Sequence, residues 1–385
     1  MIFNKHKYED CNFQIDGREL EKVQTYNYLG IKVSSSGSFI TAIKELTNKA
    51  KRAYFAMKSS FIDSKISPKL FMKMYDILVK PITLYGCEIW GAFGHKMQPI
   101  ENLCKMIYRN DKFPYEQLHL KACKASIGVS KHTNNFGIRS ELGRLPLIFN
   151  IFVAICKYRI RLNSFKQNDL LYHAFQSQHK LNYNSYKSMT YSSFTDKLKH
   201  CLGIKCPNVQ ATSTQTSWDS QTNHIKNKCR QYYINLFHEQ LIEINNNNDS
   251  KLSIYSKIKS NYEYEKYLNY RPNSKYLTKF RLSAHNLPIE RGRYNKPKIP
   301  RDLRFCIMCK SGIGDELHAL FQCENAEIKT YRDKYFAKLK SISPQITCLS
   351  NNNKLLYILN ASDIDIIHVT CDWLCKIDIA YKKCS

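Results

Sequence analysis

Cys306, Cys309, His318 and Cys323 are spaced Cys-x2-Cys-x8-His-x4-Cys. Three thiolates and an imidazole in one short segment complete a tetrahedral shell around Zn²⁺ and leave no position for water or substrate, so the chemistry they predict is structural rather than catalytic. The x2 spacing turns Cys306-Ile307-Met308-Cys309 as a knuckle with both sulfurs aimed at one ion. Gly312 and Gly314 supply the reversal, and Glu316 to Phe321 is expected to form a short helical turn presenting His318. A structural Zn²⁺ ion contributes on the order of 10 kcal/mol to folding, enough to decide whether a small module folds. The alternative is four unrelated residues in a chain with fifteen cysteines.

Other groupings offer less. His285 and Glu290 are five residues apart across Asn286-Leu287-Pro288 and share no fixed face, so His285 is expected to make a structural hydrogen bond rather than an acid–base pair. His368, Cys371 and Cys375 fall at i, i+3 and i+7 of a terminal helix, where a second metal site is conceivable. Their neighbours Ile366, Ile367, Trp373 and Leu374 favour a buried helix face instead. Cys201 and Cys206 have no His or Cys partner pattern downstream. No catalytic residue is assigned, and no small-molecule substrate is expected.

The charge balance points to the partner. Lys and Arg number 59 against 32 Asp and Glu, a net charge of +27, which is the signature of a polyanion binder. Between Arg271 and Lys310 eleven basic residues face only Glu290 and Asp302, and Tyr276, Phe280, Tyr294 and Phe305 are interleaved with them. Cations neutralise phosphates while aromatic faces stack on unpaired bases, a pairing suited to RNA or single strands. A purely structural basic strip is the competing account.

Composition sets the remaining bounds. An apolar fraction of 43% over 385 residues supports ordinary cores and two or three domains. An odd number of scattered cysteines without a signal peptide fits a reducing compartment, so an intracellular, nuclear or cytoplasmic ribonucleoprotein setting is expected. The longest apolar run, Leu147 to Cys156, is too short to span a bilayer.

The elements that must position these groups are mainly α. Met1 to Phe3 and Phe13 to Ile15 are expected as short strands with a turn at Asp16-Gly17, and Gln24 to Val33 as a third strand. Phe39, Ile43, Leu46, Ala50, Ala53, Met57 and Phe61 then recur at helical spacing, while Lys44, Lys49, Lys51, Arg52 and Lys58 fall elsewhere and give a basic outer face. Ser67-Pro68 opens a second helix, and helical character resumes around Pro81 to Trp90. Further helices are expected at Gln98 to Arg109, Tyr115 to Ile127, Leu147 to Leu162 and Lys226 to Ile244. Pro207 to His224, rich in Gln, Ser, Thr and Asn, is expected to be a linker, and Asn245 to Asn248 a second break.

Three stretches resemble the region downstream of the polymerase palm in non-LTR (LINE-type, jockey-like) retrotransposon reverse transcriptases. Met1 to Lys5, Tyr28-Leu29-Gly30-Ile31 and the basic helix resemble the junction from palm to thumb. Pro81-Ile82-Thr83-Leu84-Tyr85-Gly86-Cys87-Glu88-Ile89-Trp90-Gly91 is similar to the family's signature after the thumb helices. Arg281 to Arg293, running into the cysteines, resembles its basic lead-in and carboxy-terminal zinc knuckle. Gly143-Arg144-Leu145-Pro146-Leu147 adds weak support in between.

The resemblance implies the carboxy-terminal part of a retrotransposon polymerase that binds template RNA or primer duplex. The family's palm uses adjacent aspartates to bind Mg²⁺, and this chain has no adjacent aspartate pair. No polymerase activity of its own is therefore expected, and the missing polymerase domains become candidate partners. The expected division is 1–37, a β remnant of the palm; 38–206, a thumb-like helical bundle and connector; 207–224, the linker; 225–340, helices, basic strip and zinc knuckle; and 341–385, a helical tail. Lys44, Lys51, Arg52 and Lys58 would lie along the duplex, and Arg281, Arg291, Arg293, Arg301 and Arg304 would hold nucleic acid beside the knuckle. The alternative is a non-functional remnant, or an interaction module whose helices pack on a polymerase domain.

Overall fold

In the computed structural model the described residues are 13–61, 66–93, 107, 111–163, 165, 169–184, 191–204, 215–247, 250–270 and 273–384. They are mainly helical, with two antiparallel two-stranded sheets. The chain divides into two compact units, one of Met1–Ser64, Lys73–His119 and Leu145–Ile234, the other of Lys65–Met72, Leu120–Arg144 and Asn235–Ser385. Each unit is assembled from separated segments, and residues 341–385 fall in the same unit as Cys306, Cys309, His318 and Cys323.

In the first unit, strands β1 (Gln14–Ile15) and β2 (Arg18–Glu19) pair across Asp16 and Gly17, both at positive φ. That is the two-residue turn an Asp-Gly pair favours. The segment expected as one strand, Gln24 to Val33, is instead a second hairpin of β3 (Thr25–Tyr28) and β4 (Ile31–Ser34). It reverses at Leu29 and Gly30, at φ 46° and 81°. Gly30 supplies one of the two positive-φ positions, whereas Leu29 is a residue that rarely takes one. Its strained backbone is held by the Tyr85 hydroxyl, which donates to the Leu29 carbonyl at 3.0 Å.

Helix α1 (Ile40–Ser59) buries Ile43, Leu46, Ala50 and Met57 of the expected stripe and Tyr54 beside them, while Phe39, Ala53 and Phe61 are half-buried and Lys44, Lys51, Arg52 and Lys58 are exposed. After α2 (Pro68–Leu78) and α3 (Lys80–Thr83), the Tyr85-Gly86 pair turns the chain into α4 (Cys87–Phe93). Gly86 sits at φ 66°, and a Cβ there would come within 2.4 Å of Ile31 on β4. Trp90 is fully buried and donates its indole N–H to the Tyr85 carbonyl at 2.8 Å. Gly86 and Trp90 thus serve packing.

Helix α5 (Pro114–Ile127) presents Glu116, whose carboxylate accepts the Leu147 amide at 2.7 Å. That bond sits at the entry to α7 (Ile148–Asn163), which packs on α4; α6 (Asn135–Glu141) intervenes in sequence. Helices α8 (Leu170–Asn184) and α9 (Tyr191–Cys201) follow. The next, α10 (Gln215–Asn246), begins before the expected linker has ended. Its buried stripe of Thr222, Ile225, Cys229 and Tyr233 runs back into the polar stretch, and packing of that face overrides the weak helix propensity of Ser, Thr and Asn. Residues 207–214 of the expected linker, Met1 to Lys5, most of the expected helix 98–109 and Arg271 lie outside the described residues.

The second unit is completed by α11 (Ser253–Ile258), α12 (Ser274–Arg281), α13 (Pro288–Arg291), α14 (Ala326–Ile342), α15 (Asn351–Leu359) and α16 (Ile364–Lys383). Helix α16 packs on α12, α14 and α15. It buries Ile367, Trp373, Leu374 and Ile377. Among the described residues, no helix is long and apolar enough to cross a membrane.

Candidate metal centre

A small hairpin and a single wide helical turn bring the four ligand residues together. Phe305 bridges Ile313, Cys306 N–H donates to the Gly312 carbonyl at 3.0 Å, and Gly314 N–H donates to that of Arg304 at 2.8 Å. At the tip, Lys310 N–H closes on the Cys306 carbonyl at 2.9 Å. Lys310 and Gly312 take the positive φ values of 58° and 70° that make the knuckle tight enough for two sulfurs to face one point.

The chain then winds into a π-helical turn, His318–Gln322. Asp315 starts it by accepting the His318 amide at 2.9 Å, and the Cys323 amide closes it on the His318 carbonyl at 2.8 Å. The helical turn expected from the sequence is therefore present, wound one residue wider. That i to i+5 closure turns the fourth sulfur back toward the hairpin.

The donor atoms of Cys306, Cys309, His318 and Cys323 all lie within 4.8 Å of one another. Cys306 Sγ is 3.8 Å from Cys323 Sγ, and Cys309 Sγ is 3.1 Å from His318 Nε2. A metal about 2.3 Å from each of two sulfurs at the tetrahedral angle places them about 3.8 Å apart. The group can hold a metal ion, and the sulfur-rich set is compatible with zinc. Among the described residues, no other cluster of His, Cys, Asp or Glu has this arrangement.

The surroundings favour negative sulfur on one side and exclude water on the other. Cys309 is half-buried; burial raises its thiol, but hydrogen bonds at Ser311 and then at His318 outweigh this and lower it to about 6. Cys323 is buried, and burial pushes it up to about 12. A metal ion held there would have to displace the Cys323 proton. Arg332 donates to the Cys323 carbonyl at 2.9 Å and Asn325 to that of Met308 at 3.3 Å, fixing the backbone of both ligand segments.

Two neighbours of the centre lie outside the four-residue pattern. Asp315 precedes His318 by three residues, as a capping side chain should, and that signal was legible. Tyr381, whose hydroxyl lies 3.0 Å from Cys306 Sγ, is 75 residues away along the chain and carried none.

The basic strip divides into surface and interior. Arg281 is a correction: it is 2% exposed, and its guanidinium is shared among Glu141 at 3.1 Å, Glu265 at 3.2 Å and the Leu359 carbonyl at 2.7 Å. Paired in this way inside the unit, it has no reach to a phosphate. Arg304 is committed too, donating to the carbonyls of Ile299 and Ile289. Burial and then the nearby charge of Arg293 lower its pKa. Arg291 and Arg301 are exposed, and Arg293 is half-buried, 3.3 Å from Glu290. Helical position alone could not separate these fates, because the acidic partners come from distant segments.

The lesser candidates fall out plainly. His285 is buried and bonds Glu316 at 2.8 Å, while Glu290 pairs with Lys251 and Tyr294. His368 is exposed with its ring edge on Tyr270, whereas Cys371 is buried. Cys206 lies outside the described residues. Comparison of the chain with family models, with curated proteins and with solved structures gives no match.

Proposed function

We propose that this chain binds RNA or a template–primer duplex in a sequence-tolerant way, through basic surfaces of which one is held in shape by a zinc-loaded Cys306-Cys309-His318-Cys323 centre. The observation that carries the reading is the convergence of four donor atoms within 4.8 Å at the end of the segment that exposes Arg291 and Arg301. When bound, Zn²⁺ would cross-link the 304–314 hairpin to the π turn and Cys323. With four protein ligands it would keep no open position, so its contribution is rigidity. Arg304, anchored on carbonyls, orders the loop from Ile289 to Ile299, and the exposed arginines project from that ordered backbone toward phosphates.

A second basic face supports the same reading in the first unit. Lys44, Lys51, Arg52 and Lys58 stand exposed along α1, at spacings that follow one side of a helix. The motif resemblance to the carboxy-terminal region of non-LTR retrotransposon polymerases agrees with this role, and under it polymerisation is supplied by other domains.

Titration of a labelled RNA against the full chain at several salt concentrations tests the proposal. Reversing charge at Arg291 and Arg293 weakens binding and flattens the slope of log affinity against log salt, each lost phosphate contact removing about 0.7 from a single-strand slope. Unchanged affinity and slope would overturn it.

One observation favours a second reading, an interaction module for a polymerase domain. Tyr26, Tyr28 and Leu29 on the β3–β4 hairpin are all more than half exposed, an apolar edge suited to a protein partner. Absence of RNA binding by a folded, zinc-loaded chain would select that reading.

A further inference from the structure

We infer that the Tyr381 hydroxyl is a positioning group for the metal centre, donating a hydrogen bond to the Cys306 sulfur so that metal occupancy and the seating of α16 reinforce each other. This rests on the reading of the four-residue cluster as a metal site. Tyr381 is fully buried on the last turns of α16, with its oxygen 3.0 Å from Cys306 Sγ. A metal-bound cysteine is a thiolate, an acceptor with no proton, and a buried phenol O–H is a donor matched to it.

The same helix reaches the other half of the centre. Trp373, two helical turns earlier, sets its ring edge-on against Phe321 of the π turn, with centroids 5.6 Å apart at 90°. One helix thus touches both the hairpin that carries Cys306 and Cys309 and the turn between His318 and Cys323.

A hydrogen bond to a coordinating sulfur fixes its direction and draws charge from it, and outer-shell partners of this kind typically change metal affinity about 10- to 100-fold. The effect belongs to the hydroxyl, because Tyr381→Phe retains the buried ring.

The test uses the full chain. Wild type and Tyr381→Phe are titrated with Co²⁺ while the sulfur-to-cobalt absorption band is followed, and Zn²⁺ affinity is then measured by competition. The expected result is metal binding about 10- to 100-fold weaker in Tyr381→Phe, with a displaced charge-transfer band. Equal affinity and an identical band in the two proteins would overturn the inference and leave the metal reading standing. No Co²⁺ uptake by wild type would overturn the metal reading, and this inference with it. Should Tyr381→Phe not fold, amide exchange of wild type decides. Slower exchange around Tyr381 with Zn²⁺ than after chelation supports the coupling, and equal exchange refutes it.

Discussion

Arg281 Nη2 lies 3.1 Å from Glu141 Oε1 with both side chains sealed from solvent, so the most basic-looking stretch of the sequence contains a residue that works as an internal strut. Tyr267 also donates to this carboxylate, and Tyr255 bonds the neighbouring Ser140. Arg281→Ala leaves a buried carboxylate short of its cation and is expected to cost about 3–5 kcal/mol. Urea unfolding measures the loss. RNA affinity of the protein that remains folded is expected to be unchanged; weakened binding at full stability would contradict the assignment.

The α1 cations should behave in the opposite way. Replacing Lys44, Lys51, Arg52 and Lys58 together by Ala removes exposed charge and little packing, so the unfolding midpoint should hold within about 0.5 kcal/mol per site. The salt dependence of RNA binding should become shallower. A fall in stability with an unaltered salt slope would place these residues in the fold rather than at the ligand.

Alkaline pH probes the Glu141 network. Burial, and after it the charge of Glu141, hold the phenols of Tyr255 and Tyr267 well above their ordinary value. Their folded pKa exceeds the unfolded one, so their contribution is complete below about pH 10 and is lost as pH rises, by about 1.4 kcal/mol per pH unit for each tyrosine that stays protonated only in the native state. Tyr267→Phe removes one of these shares. The slope of unfolding free energy between about pH 10 and pH 11 should be shallower in that variant, and an identical slope would refute the assignment.

Gly314 tests the hairpin that holds the first two ligands. A Cβ there would stand 2.7 Å from Pro288 Cγ and 3.0 Å from the Cys306 Cα, so Gly314→Ala must displace either α13 or the ligand backbone. A cost of about 1–3 kcal/mol is expected, together with weaker metal retention under chelator challenge. Full retention would show that the hairpin yields without disturbing Cys306.

What could be read from the sequence follows the range of the interactions involved. The four ligands, the α1 stripe and the Asp16-Gly17 turn are local patterns, in which spacing alone dictates which side chains share a point or a face. The Leu29-Gly30 reversal was missed because its support comes from Tyr85, and the start of α10 because buried Thr222 outweighs a polar composition. Arg281 and Tyr381 belong to the same class. Their roles are set by Glu141 and Cys306, 140 and 75 residues away, and a charge or a ring in sequence does not reveal which partner it will meet.

Metal content decides the central claim most directly. Native mass spectrometry of the full chain, purified without added chelator, is expected to show one zinc ion per chain in wild type and none once Cys306 and Cys309 are both replaced by Ser. RNA binding should fall together with the metal. A folded wild-type chain that carries no zinc and takes up none when it is supplied would contradict the account.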